Sequence, residues 1–175
     1  MVIGVMSDTH GNRRLMHKVA ADMTGRFRAE IVFHLGDDYE DALELEAFGY
    51  PVRMVPGLWC PQYDDARVPT QMIEDVAGLT VACAHADKDL GYRERAAAIV
   101  LTGHTHEASL AVLGRSLYVN PGHLKSRVSR GEPASFALVE IAPAEVRATI
   151  IEAATDVVHD EIVVDRARLG DGVGE

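Results

Sequence analysis

Short apolar runs along the chain end again and again in glycine and aspartate. Val2 to Met6 is such a run, cut off by Ser7-Asp8, and it predicts a buried strand. Asn12, a residue type that caps helices, opens a helical segment to about Thr24. Its apolar positions Leu15, Met16, Val19, Ala20 and Met23 recur at helical spacing. Ile31 to Leu35 predicts a second strand, broken by Gly36-Asp37. Tyr39 to Phe48 predicts a second helix, stopped by Gly49. Val52 to Val55 predicts a third strand, ended by Pro56-Gly57. This βαβαβ start places polar residues where strands give way to loops, as in a parallel sheet with its site at the carboxyl ends.

Beyond Pro56 the pattern turns mainly to strands. Thr70 to Val76 and Leu79 to Ala84 flank Gly78 as a hairpin. Gly91 to Ala98 is helical in composition, and Ile99 to Thr102 is a strand leading into Gly103-His104. Ala108 to Leu113 and Ser116 to Val119 pair around Gly114-Arg115. Ala134 to Ile141, Val146 to Ala153 and a last strand near Glu161 to Val164 complete the series. Two packed sheets with helices outside are the expected α/β arrangement.

The chain has 175 residues, enough for one domain with a real core, assigned to residues 1–165. The stretch from Arg166, ending in Gly-Asp-Gly-Val-Gly-Glu, has little to bury and is expected to be a flexible tail over 166–175. A net charge of −10 argues against nucleic acid or an anionic membrane as a default partner. Two cysteines, Cys60 and Cys83, are too few for a disulfide framework and fit a reducing, cytoplasmic setting. Val2 to Met6 lacks the basic flank of a signal peptide, and no apolar stretch is long enough to span a membrane. Homo-oligomerisation is left open.

The candidate chemistry lies in Asp8-Thr9-His10, Gly36-Asp37-Asp38, an isolated His85 and Gly103-His104-Thr105-His106. Each follows an apolar run. Asp8-x-His10 and His104-x-His106 share a spacing that, in extended chain, turns both side chains to one side. Asp oxygens and His nitrogens suit Mn, Fe or Zn. Six such groups are too many for one tetrahedral ion and suffice for two ions sharing a carboxylate. Any one cluster alone would carry little weight; it is their series after strands that points to a hydrolytic metal centre.

This ordered set, with Asn120-Pro121-Gly122 after a further strand, resembles the calcineurin-like metallophosphoesterases, and more closely their small prokaryotic phosphodiesterase branch. The resemblance covers Met1 to about Ile151. It implies a four-layer α/β/β/α sandwich of two mixed sheets flanked by helices. It also implies a metal-dependent phosphoesterase, most nearly a phosphodiesterase, with two divalent ions: Mn first, with Fe, Zn, Ni or Co as alternatives. By position Asp8, His10 and His106 would hold the first ion, Asp37 would bridge, and His85 and His104 would hold the second. A water between the ions would attack phosphorus in line, and the substrate would be a phosphate ester. Asn12, His34 and Asn120 are expected behind the ligands.

One motif departs from the pattern. Where the family has Gly-Asn followed by His or Cys, this chain has Gly57-Leu58-Trp59-Cys60. Leucine cannot coordinate an ion. Cys60, Gln62 or Asp64 could replace the missing ligand, water could fill the place, or the second ion could be absent. His123, where a small residue is usual, is a candidate general acid, with an ordinary loop histidine as the blander alternative. Trp59 could stack on a substrate or plug the gap left by the missing side chain, and Arg13 could contact phosphate. The rival to an enzyme is a weakened or inactive relative acting as a binding or scaffold module, with Trp59 and Tyr63 as exposed aromatics.

Overall fold

The apolar runs become the strands of two sheets in the computed structural model, which describes residues 1–170. In chain order the first elements are β1 (Val2–Met6), α1 (Arg13–Ala21), β2 (Ile31–His34), α2 (Tyr39–Ala47) and β3 (Val52–Met54). There follow β4 (Gln71–Val76), β5 (Leu79–Ala84), α3 (Tyr92–Arg95), β6 (Ile99–Leu101), β7 (Ala108–Leu113) and β8 (Ser116–Pro121). The last are β9 (Val128–Ser129), β10 (Glu132–Pro133), β11 (Ser135–Ile141), β12 (Glu145–Glu152) and β13 (Val158–Asp165).

One six-stranded sheet runs β13-β12-β11-β1-β2-β3, and a five-stranded sheet runs β4-β5-β6-β8-β7. Both are mixed. β1, β2 and β3 are mutually parallel in the first, as are β5, β6 and β8 in the second, and the outer pairings are antiparallel. Alternation along each strand explains the layering. Ile3, Val5, Phe33, Val139 and Ile150 face Val81, Ile99, Leu101, Leu117 and Val119 between the sheets. The residues between them point outward. Val32, Phe136 and Leu138 meet Met16, Val19 and Met23 from α1 and its extension, and Leu45 from α2. On the far side Leu90 and Ala97 cover Ala82, Ala84 and Val100. The protein is thus the expected α/β/β/α sandwich, with a thin fourth layer.

Several elements depart from the sequence expectations. The first helix ends at Ala21 and continues as one wide π-type turn, Asp22–Arg26, closed by Phe27 N–H on Asp22 O. Thr24 Oγ1 donates to the Ala20 carbonyl at 2.8 Å, competing for the helix's own acceptor beside Gly25. The helix expected over 91–98 shrinks to α3, because Ala98 N–H is drawn to Thr80 Oγ1 as the chain enters β6. β13 is twice the expected segment; its weak alternation hid it, since His159, Asp160 and Glu161 lie on an exposed edge. The two-residue strands β9 and β10 are too short to leave a periodic signal. No described helix is long and apolar enough to cross a membrane.

The stretch from Arg166 also differs from a frayed tail. Arg166 donates to the carbonyls of Ala142 and Ala77, and Leu169, 4% exposed, is inserted into the layer between the sheets. The rest of the expected tail, 171–175, lies outside the described residues. Leu169→Ala should therefore cost about 2–5 kcal/mol in urea unfolding. A loss under about 0.5 kcal/mol, typical of a surface site, would place Leu169 outside the core.

Candidate metal centre

Six parallel strands end on one rim of the sandwich and hand over to the predicted residues. β1 leads to Asp8 and His10, β2 to Asp37, β3 to Gly57-Leu58, β5 to His85, β6 to His104 and His106, and β8 runs into Asn120 and His123. The loops are tied together by main-chain bonds. Asp8 N–H meets Gly36 O at 2.9 Å, Gly103 N–H meets His85 O at 2.8 Å, and Leu124 N–H crosses to Ser7 O at 3.1 Å. Close approach depends on missing side chains. A Cβ on Gly57 would lie 2.1 Å from Asp37 Oδ1, and one on Gly103 would lie 2.0 Å from Ser7 Oγ.

The residues do not converge by strand alternation, as the shared spacing suggested. Asp8, His10, His104 and His106 all have left-handed backbone, with φ of 53°, 46°, 69° and 66°. Non-glycine residues adopt that region at a cost, and the surrounding bonds must hold them there. The consequence is that neighbours diverge. His104 turns to His85, with Nδ1 3.2 Å from its Nε2, while His106 turns to His10, with the two Nε2 atoms 3.2 Å apart.

Two groups of ligand-type atoms result. Asp8, His10, Asp37 and His106 each offer an atom lying within 4.8 Å of all the others. On the other side of Asp37, Oδ1 lies 3.4 Å from His85 Nε2, while Oδ2 lies 3.2 Å from His10 Nε2. Asp37 therefore stands between the two histidine pairs. Asp8 Oδ2 accepts from Ser7 Oγ at 2.6 Å and from His104 N–H at 2.9 Å. Its Oδ1 and Oδ1 of Asp37 are buried with no formal hydrogen bond, facing His106 Nε2 at 3.2 Å and His85 Nε2 at 3.4 Å respectively. Buried carboxylate oxygens with no donor are unfavourable unless something cationic sits against them. This donor set fits divalent metal.

The protonation states agree with ligation. Burial works to raise the Asp8 carboxyl, yet the adjacent His106 imidazole, the Ser7 hydroxyl and the nearby His85 hold it below its usual range. Burial lowers the His10 imidazole against the pull of Asp37, favouring the neutral form that can give a lone pair. His85 Nδ1 donates to Leu35 O at 2.7 Å, which orients the ring with Nε2 facing Asp37.

The supporting residues fall into place around these. Asn12 Oδ1 accepts from Leu15 N–H and caps α1, while its Nδ2 donates to Leu124 O at 2.9 Å. Asn120 Nδ2 donates to Gly103 O at 3.0 Å and steadies the His104 loop. His34 Nδ1 accepts from Gly36 N–H, so its Nε2 donates to Thr9 Oγ1, which in turn donates to Asp37 O. Ser7, Thr9 and Ser129, the last 3.1 Å from His106 Nδ1, carry this support and were not singled out by sequence. Ser7 and Thr9 flank Asp8 and could have been flagged by position. Ser129 sits on β9 and gave no signal.

The remaining candidates separate. Cys60 and Gln62 line the cleft that opens on His10 and Asp37, but Gln62 is bonded to Glu40. Asp64 is exposed and does not border that cleft. Trp59 is 88% exposed, so it plugs no gap, and Leu58 is half-buried. Tyr63, expected to be exposed, is half-buried and donates to Asp89 at 2.6 Å. Arg13 is held by Asp41 at 3.2 Å and Glu44 at 2.7 Å. His123 is a loop histidine, as the blander alternative had it, but a buried one that is not placed to meet a substrate. It is fully buried 5.3 Å from the His106 ring, and its Nε2 donates to Glu132 O, leaving Nδ1 as a lone pair with no proton to give.

A sandwich of two mixed sheets with Asp and His gathered at its strand ends has close counterparts. The chain belongs to the calcineurin-like phosphoesterase superfamily, whose domain model matches residues 1–143. Its fold is similar to that of YfcE, a phosphoesterase from E. coli, with TM-score 0.71 and 16% identity over 93% of this chain and 98% of that one. It is similar to an archaeal phosphodiesterase, with TM-score 0.65 and 20% identity over 94% and 100%. It is also similar to Vps29 from Entamoeba histolytica, complexed with Zn2+, with TM-score 0.64 and 18% identity over 95% and 99%. No curated protein sequence matches the chain.

His34 supplies a test of the scaffold beneath the centre. Burial pushes its pKa from 6.5 down to about 4. The unfolded chain takes up a proton that the folded protein refuses, so stability present above pH 6.5 is lost as pH falls through about 4. The metal-free protein should lose about 2–3 kcal/mol from this group between pH 7 and pH 4.5. In urea unfolding His34→Gln should be less stable at pH 7 but show a shallower decline; equal slopes would assign the loss to other groups.

Proposed function

We propose that the protein is a metal-dependent phosphodiesterase whose centre holds two divalent ions, manganese foremost. The observation that carries this reading is Asp37. Its Oδ2 faces the His10 side, its Oδ1 faces the His85 side, and Oδ1 is buried with no donor of its own. A single carboxylate so placed suits a bridge. Asp8, His10 and His106 would complete one side, and His85 with His104 the other. Bound there, divalent cations supply Lewis acidity, acidifying a water for attack on phosphorus and offsetting charge on the phosphoryl oxygens.

The chain's own residues do the rest. Ser7 Oγ and His104 N–H occupy Asp8 Oδ2 and aim its Oδ1 inward. Leu35 O fixes the His85 tautomer, and Ser129 sits against His106 Nδ1. Left-handed backbone at four ligand positions presets their directions, so little reorganisation is left for binding. Family membership and the archaeal phosphodiesterase of like fold support a phosphate ester as substrate. An aryl phosphodiester such as bis-p-nitrophenyl phosphate should be hydrolysed with Mn2+ and not after chelation. Asp37→Asn should lower kcat/KM by more than about a hundredfold. No turnover with Mn, Co, Ni, Fe or Zn would refute the reading.

A second reading has its own observation. Leu58 gives the His85 side no fourth protein ligand, and the fold is shared with Vps29. That reading is a binding module with weakened or absent catalysis. Elemental analysis of purified protein separates the two. About two tightly held equivalents of metal are expected of the enzyme, and at most weak occupancy, near zero after purification, of the module.

A further inference from the structure

The cleft above His10 and Asp37 has a wall that the metal centre does not explain. Asp38, Tyr39, Glu40 and Trp59 border it, and it encloses about 130 Å3. Pockets for drug-sized ligands begin at roughly 300 Å3, so this one takes a small group. Its charge is one-sided. Two carboxylates beyond the candidate ligands line it, and no lysine or arginine does. Arg13, the basic residue nearest His10 in sequence, is already held by Asp41 and Glu44.

The aromatic side of the cleft points the same way. Trp59 is the chain's one tryptophan and is 88% exposed. A lone exposed aromatic is ordinary, but here the indole borders the same cleft as the Tyr39 ring and two carboxylates. At the cleft's floor Asp37 presents Oδ2 beside His10. Aromatic faces joined to carboxylates recognise organic cations, above all alkylated ammonium groups.

Building on the phosphodiesterase reading, we propose that the cleft selects diesters whose retained substituent carries an alkylammonium group, of the choline or ethanolamine type. The phosphoryl group would lie at the His10 and Asp37 floor, and the ammonium between Trp59 and the carboxylates of Asp38 and Glu40. The substrate is then a zwitterion matched at both ends. A second phosphate or a carboxylate in that position would meet Asp38 and Glu40 and be repelled.

Because Trp59 is alone, intrinsic fluorescence reports on the cleft without any need for turnover. Titration with tetramethylammonium chloride, against sodium chloride at matched ionic strength, should give a saturable change. Glu40→Gln and Asp38→Asn, both at exposed positions, should weaken it at least about fivefold. In parallel, p-nitrophenyl phosphocholine should exceed ethyl p-nitrophenyl phosphate in kcat/KM by about tenfold or more, and the same variants should bring that ratio toward one. A response identical to sodium chloride, with equal hydrolysis of both esters, overturns the cation cleft and leaves the hydrolase standing. Saturation by the ammonium ion with neither ester hydrolysed upholds the cleft and sinks the hydrolytic reading.

Discussion

Two carboxylates buried among four imidazoles are what the rest of this structure has to accommodate. Asp8 is fully buried and Asp37 is 7% exposed, and each keeps one oxygen without a donor. An apolar interior would not tolerate them in isolation. They are tolerated because the loops supply the other bonds, Ser7 and the His104 main chain to Asp8 Oδ2 and Thr9 to the Asp37 carbonyl, while imidazole nitrogens close in around both carboxylates. What is left open is a pair of oxygens aimed at the place where a divalent cation would be most strongly held.

Holding them requires a backbone that ordinary strands do not provide. The sheets bring the six strand ends to one rim, but the final directions come from left-handed residues just past those ends. Such residues stay put only when neighbours over-determine them. Here the glycines make that possible. Gly57 lets the β3 loop touch Asp37, and Gly103 lets the β6 loop touch Ser7, both at distances that exclude any Cβ. The two sheets are thereby locked at the site as well as through the core, so the geometry of the centre and the stability of the sandwich share the same contacts.

That division explains what could be read from the sequence. β1, β2, β5, β6 and β8 were legible because each is a short apolar run closed by glycine, aspartate or histidine, and the site residues stand immediately after them. Periodicity carries no such message for β9, two residues long, although its Ser129 bears on His106. His123 gave no sign of being buried because nothing in Asn-Pro-Gly-His says that β9 and β10 follow so closely; it is the Glu132 carbonyl on β10 that accepts its hydrogen bond. The spacing argument for Asp8-x-His10 reached the right neighbourhood by the wrong geometry, since strand alternation ends at Met6. Tertiary closure, invisible in a linear pattern, decides all three.

The loop after β3 gathers these threads. Leu58 stands where the resemblance leads one to expect a polar ligand, and the very next residue exposes an indole to solvent beside the cleft. The loop does not run free past that point. Instead Pro61 starts a short 3-10 turn, Pro61–Asp64, Cys60 N–H bonds to Gly57 O, and Gln62 is fastened to Glu40 on α2. The segment is anchored at both ends while its largest apolar side chain is kept free. An ordered loop that leaves its aromatic uncovered beside carboxylates has the makings of a recognition surface, and the charge of those carboxylates would favour a cation over an anion there.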